Sequence, residues 1–167
     1  MKLEPIYSCA AAIDVHQAKL TVCILHEDTV GEVHTELREF GGFKRERIAM
    51  AKWIASFHPQ QVVMESTGIY WKSPYVALER EGIIPLVVNS RHVKQLPGRK
   101  TDLADAQWLA MLARCGLLRG GFVPRENFRG LRLISRHMQK LTGILAGEKN
   151  RMHKVLTDGG VRLAVVV

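Results

Sequence analysis

The chain has 167 residues and a mass of 18.8 kDa, enough for one compact domain with a core and an appendage. Its longest apolar runs, such as Val62–Met64 and Ile83–Val88, fall far short of the roughly 18 residues of a membrane span. Glu4 and Pro5 interrupt any secretory leader, so a cytoplasmic protein is expected.

Charge divides the sequence. Residues 1–86 carry 9 Lys/Arg against 11 Asp/Glu, whereas residues 87–167 carry 15 against 5, within a net charge of +8 and a pI of about 9.7. A basic half points to a polyanionic partner, nucleic acid above all; a merely solubilising surface is the alternative. Cys9, Cys23 and Cys115 form no CxxC pair and read as small buried hydrophobes rather than zinc ligands or disulfide partners.

In chain order, Tyr7 to Ile13 is an apolar strand ending at Asp14. Lys19 to His26 and Thr29 to Leu37 alternate as strands of an antiparallel meander. After Gly41-Gly42, apolar residues at helical spacing predict a helix over Phe43 to Phe57. Gln60 to Met64 is a short buried strand stopping at Glu65, and Ser66-Thr67-Gly68 forms a turn. A helix over Tyr70 to Glu81, closed by Gly82, leads to the apolar strand Ile83 to Val88. Strand, helix, strand implies a parallel pair with a crossover, and hence a mixed α/β sheet. The basic connector Asn89 to Lys100 precedes a helix over Asp102 to Cys115, with Thr101 as its N-cap.

Gly116, Gly120-Gly121 and Pro124 mark a boundary. Beyond it Leu131, Ile134, Met138, Leu141, Leu145, Met152 and Val155 form a heptad-like seam whose one polar member is Glu148. Arg125, Arg129, Arg132, Arg136 and Lys140 take the opposite face. A coiled-coil arm with a basic outer stripe and an ordinary core-packing helix both fit, and Gly143 and Gly147 weaken either. The expected division is a sheet domain over 1–123, a basic amphipathic helix over 124–158, and a connector over 159–167. The apolar run Val161 to Val167 reads as the start of a connection to a further domain.

Four carboxylates stand at element ends: Asp14 and Glu65 at strand ends, Asp102 and Asp105 at a helix start. A hard divalent ion such as Mg²⁺ takes several oxygen ligands, and four converging carboxylates can hold two ions about 4 Å apart for phosphoryl transfer. The i, i+3 spacing of Asp102 and Asp105 puts both on one helix face. Strand ends of an open α/β sheet are where such folds bind ligands. Duller roles are open to each. Asp14 can begin a turn and Asp102 can answer the helix dipole, whereas Glu65, directly after Val62-Val63-Met64, needs a partner.

The segments AAIDVHQAKLTVCIL, VVMESTGIYW, PLVVNSRHVKQLPGRKTDLADAQWLA and KNRMHKVL together resemble the DEDD insertion-sequence transposases, the bridge-RNA-guided recombinases. The resemblance runs from about Ile13 to Leu156, and all four acidic positions are filled as in the family. It implies an RNase H-like (RuvC-type) sheet with flanking helices, followed by a long coiled-coil arm used in dimerisation. Asp14, Glu65, Asp102 and Asp105 would be the catalytic set binding Mg²⁺, with Mn²⁺ as a substitute. DNA and a guide RNA would be the partners, with a homodimer or higher oligomer as the assembly. Full-length members carry a second domain whose serine attacks the DNA backbone. The implied setting is the prokaryotic cytoplasm, at the nucleoid.

Arg99, Lys100, Arg125, Arg129, Arg132 and Arg136 are the candidates for contacting a nucleic-acid backbone. Thr67 and Gly68 shape the turn that presents Glu65. Tyr70 and Trp71 read as packing residues, with base stacking as the alternative. His16 is expected not to be a metal ligand. Three other readings are open. One is a Holliday-junction resolvase or RNase H-like nuclease using metal-activated water. Another is an actin-like ATPase, disfavoured because Val15-His16-Gln17 lacks a glycine-rich phosphate turn. The third is a non-catalytic nucleic-acid-binding module.

Overall fold

The structure is a computed structural model and describes residues 4–66, 68–89, 93 and 105–162. The chain divides into two compact units, Met1–Phe122 and Val123–Val167.

The first unit is built on a five-stranded sheet. Its strands are β1 (Cys9–Val15), β2 (Lys19–Glu27), β3 (Val33–Gly41), β4 (Gln61–Glu65) and β5 (Leu86–Val88), in the spatial order β3-β2-β1-β4-β5. β1, β2 and β3 form the expected antiparallel meander, and β4 and β5 add in parallel beside β1. The helices of this unit are α1 (Lys44–Ser56), α2 (Lys72–Arg80) and α3 (Asp105–Arg114).

Period-two alternation along the strands assigns the two faces. Ala10, Ala12, Cys23, Leu25, Val63 and Val88 share one face with Ala106, Trp108, Leu109, Ala110, Leu112 and Ala113 of α3. The small Ala10 and Ala12 let that helix lie close to the sheet. The opposite face carries Ile13, Val15, Leu20, Val22, Ile24 and Phe40, all buried. The α1 helix packs against it, with Trp53 tilted on Phe40 at 5.6 Å between ring centroids.

The largest shift from the sequence expectation is in β3, which starts at Val33 rather than Thr29. The side chain of Asp28 explains it. Its Oδ1 accepts the N–H groups of Val30 and Glu32 at 2.9 Å each, which holds residues 28–32 in a turn. β3 is an edge strand exposed on both faces as far as Glu39, and its Glu36, Arg38 and Glu39 suit an edge that must not pair further. β1 runs one residue past Asp14, and β5 is confined to Leu86–Val88 because Pro85 precedes it.

At the start of β1, α3 is pinned to the sheet. The carbonyl of Arg114 accepts the N–H groups of Ile6 (3.0 Å) and Tyr7 (3.1 Å). Its buried guanidinium donates from Nε to the carbonyl of Tyr7 (3.1 Å) and from Nη2 to Glu27 Oε2 (2.5 Å). With its last residue fixed there and its apolar side along β1, α3 runs antiparallel to that strand. Its first residue therefore lies toward the strand's far end.

The second unit holds α4 (Glu126–Asp158), 33 residues long and continuous through Gly143 and Gly147. None of its residues is buried. Among the described residues, no helix is long and apolar enough to cross a membrane.

Candidate metal centre

The carboxylates of Asp14 and Glu65 belong to adjacent parallel strands. Ile13 pairs with Met64, so Asp14 and Glu65 each stand one residue further along. Ala12 and Val63 lie on the α3 face. Two residues beyond them, Asp14 and Glu65 share that face by strand alternation. A bond from the Ser66 N–H to the carbonyl of Val88 (2.8 Å) fixes the chain just after Glu65. Asp105 opens α3, the helix laid over the same face, at the end remote from Arg114. Three of the four predicted carboxylates are thus brought to one end of one face. Asp102, together with Thr67, Arg99, Lys100 and Thr101, lies outside the described residues.

Asp14 is mostly enclosed, with 15% of its side chain exposed, and its Oδ2 lies 3.0 Å from Nε2 of His16. Facing it across β2 is Thr21, its register partner. The row continues to Glu39, whose Oε1 accepts from Thr21 Oγ1 (3.4 Å) and from Lys19 Nζ (2.6 Å). The ion pair with Lys19 holds the Glu39 carboxyl below its usual range. Polar groups therefore extend from Asp14 across three strands.

Among the described residues, the tightest set of three donor groups is a different one. Asp28, Glu32 and His34, all exposed, have ligand atoms within 4.8 Å of one another at the β2–β3 turn. The Asp14, Glu65 and Asp105 side chains do not form so close a group. Asp28 Oδ2 lies 2.9 Å from His34 Nε2, and that hydrogen bond, with the Glu32 N–H, lowers the Asp28 pKa to about 2 and raises that of His34. Sequence inspection missed this trio because its members are joined by a turn held by a side chain.

The donor set at the β1–β4 end is all carboxylate oxygen, which suits a hard divalent cation such as Mg²⁺ or Mn²⁺ rather than zinc. Cys9 and Cys23, the softer ligands nearby in sequence, are buried, and burial pushes the Cys23 thiol up to about 11.

The basic candidates that can be described are on α4. Arg125 is its N-cap residue, and Arg132 and Arg136 are exposed. Arg129 is half-buried and donates from Nη1 to the carbonyl of Pro124 at 2.9 Å. Tyr70 is exposed, whereas Trp71 meets the buried Tyr75 edge-on at 5.7 Å, which favours packing over stacking for Trp71. His16 is the residue at this end whose contact with Asp14 sequence inspection did not name. Its signal was there in the i, i+2 spacing of the two residues.

Against known proteins, the family model for IS110-type DEDD transposases matches residues 11–159. The chain belongs to that family. No curated protein shows significant sequence similarity to it. Among solved structures it resembles RuvC of Thermus thermophilus in complex with a Holliday-junction substrate. The TM-score is 0.50 at 16% identity, over 68% of this chain and 99% of that one. A second Thermus thermophilus RuvC structure aligns over the same shares at 17% identity and a TM-score of 0.45. The fold is thus RuvC-like, as the sequence resemblance implied, with the helical region of α4 following it.

Proposed function

We propose that this transposase-family chain supplies the metal-binding half of an active site that cleaves and rejoins DNA strands under guidance by RNA. Asp14, Glu65, Asp102 and Asp105 would be its ligands. The observation that carries the reading is the shared end and shared face of Asp14 and Glu65, on adjacent parallel strands beneath the helix that Asp105 opens. On this reading residues 1–123 form the catalytic unit and 124–158 an arm.

Bound there, Mg²⁺ (or Mn²⁺ in its stead) would neutralise charge on a scissile phosphate and polarise its bonds to oxygen. The chain's own residues do the holding. The carboxylates are acceptor-only when ionised, so they contribute ligand oxygens and no competing donors. Asp14 and Glu65 stand on strands rather than loops, which limits their movement. The nucleophile would be the serine of the second domain that full-length family members carry, so this unit binds and orients a strand for that serine.

Arg99, Lys100, Arg125, Arg129, Arg132 and Arg136 would contact nucleic-acid backbone. Self-association would proceed through the α4 seam. Work on chromosomal DNA would place the protein in the prokaryotic cytoplasm. Cleavage by metal-activated water, as in a junction resolvase, is the second reading. It rests on a likeness of fold at 16% identity, whereas the family match spans residues 11–159.

Calorimetric titration with Mn²⁺ tests the metal site. The wild type should bind, and Asp14→Ala and Glu65→Ala should each weaken binding by roughly 10-fold or more. Absent binding in the wild type, or equal binding in all three proteins, contradicts it.

A further inference from the structure

We propose that His16 is a positioning residue for Asp14, fixing the orientation of its carboxylate so that one oxygen is presented to the metal. The inference rests on the metal-site reading above and adds a residue to it.

The backbone sets the imidazole in place. The His16 N–H donates to the carbonyl of Lys19 at 3.0 Å, closing the reverse turn between β1 and β2. The Gly42 N–H donates to the carbonyl of Ala18 at 2.9 Å, which clamps the same turn to the end of β3. Gly42 allows this approach because a Cβ there would stand 3.0 Å from the Gln17 carbonyl oxygen and 3.2 Å from that of Ala18. The turn that carries His16 is thus held from two sides by main-chain bonds, and the imidazole meets Asp14 directly, with Nε2 3.0 Å from Oδ2.

Exposure separates this role from packing. The His16 side chain is 56% exposed, while Asp14 is 15% exposed. A histidine retained for the core would bury its ring. This one stays at the surface and places one nitrogen on a carboxylate that is itself largely enclosed. The contact engages Oδ2 alone. Among the described residues no other side chain is hydrogen-bonded to Asp14, so Oδ1 is the oxygen left for a ligand.

A carboxylate with one oxygen already bonded loses less rotamer freedom when the other binds a cation. Outer partners of ligating groups typically contribute 10–100-fold to metal affinity in this way.

The test is Mn²⁺ titration by calorimetry of the 167-residue chain as wild type, His16→Ala, His16→Gln and Asp14→Ala, with thermal unfolding followed in parallel. His16→Ala should weaken Mn²⁺ binding about 10-fold with unchanged stoichiometry. His16→Gln, whose amide N–H can stand where Nε2 stands, should recover most of that loss. Both His16 variants should unfold at the wild-type temperature. Wild-type affinity in His16→Ala overturns the proposal, as does His16→Gln binding no better than His16→Ala. A common fall in Tm that tracks the affinity loss would reassign the bond to the turn. If Asp14→Ala weakens binding while His16→Ala does not, only the positioning role fails. If Asp14→Ala binds as the wild type does, the metal site fails with it.

Discussion

The helices α3 and α4 both carry an apolar face, and the two faces meet different fates. In α3, ten residues long, Ala106, Trp108, Leu109, Ala110, Leu112 and Ala113 are all buried against the sheet. In α4, 33 residues long, Leu131, Ile134, Met138, Leu141 and Leu145 are each at least half exposed. The difference lies in the counterpart. The surface for α3 is encoded in Ala10, Ala12, Cys23, Leu25 and Val63, small and medium side chains on one sheet face. The seam of α4 has its basic stripe behind it, and its apolar area is left uncovered.

Substitutions on the two helices should therefore separate. Leu112→Ala removes a fully buried side chain and should cost about 3 kcal/mol in urea unfolding. Leu141→Ala, at 50% exposure, should change the unfolding of dilute protein by less than about 0.5 kcal/mol. A Leu141→Ala cost that grows with protein concentration would show that the seam is covered by a second copy, and would sharpen the contrast rather than break it. Equal costs at the two positions in dilute solution would break it.

The Arg114–Glu27 pair anchors α3 at the end of the sheet away from the carboxylates. Arg114→Ala leaves the Glu27 carboxylate and the Tyr7 carbonyl without their donor. Because Glu27 retains 35% side-chain exposure, the cost should be about 2 kcal/mol, below that of a fully buried pair. Urea unfolding measures it, and a change under about 0.5 kcal/mol would contradict the anchoring role.

On α4 the expected effect is on affinity rather than stability. Replacing Arg132 and Arg136 by Gln should lower the slope of log affinity for duplex DNA against log salt by about 1 for each phosphate that is no longer neutralised. Equal slopes for variant and wild type would remove the stripe from the DNA interface.

The smallest effect belongs to the Asp28–His34 contact. The raised His34 pKa gives stabilisation present below the ordinary histidine value and lost as pH rises through the folded value. The Asp28 pKa of about 2 gives stabilisation present above the ordinary carboxylate value and lost as pH falls toward 2. The contact should therefore be strongest between about pH 4 and 6.5. NMR titration of His34 should show its pKa fall toward the ordinary value in Asp28→Asn, with Glu32 and Glu36 still raising it; an unchanged pKa would refute the pairing.

Much of this was legible in the sequence, and the reasons differ by element. Runs such as Val62-Val63-Met64 and the meander before Gly41 declare strands because burial and alternation are local properties. The family resemblance on IDVH, ESTG and KTDLADA gave the RuvC-like fold. The start of β3 was not legible, since the alternation from Thr29 continues through residues that the Asp28 side chain bends into a turn. Nor was the Arg114–Glu27 pair, whose members stand 87 residues apart and meet only once α3 is laid across the sheet. At the carboxylate end the ligand candidates could be named from spacing, but the hydrogen bond of His16 depends on a turn geometry that Gly42 permits from the other side of the meander.

The most direct test of the metal site is anomalous diffraction from crystals soaked in Mn²⁺. A peak is expected beside Asp14 and Glu65 at the β1–β4 end of the α3 face, coordinated by ligands from the set Asp14, Glu65, Asp102 and Asp105. A peak at Asp28, Glu32 and His34, with none beside Asp14 and Glu65, would contradict the metal-site reading.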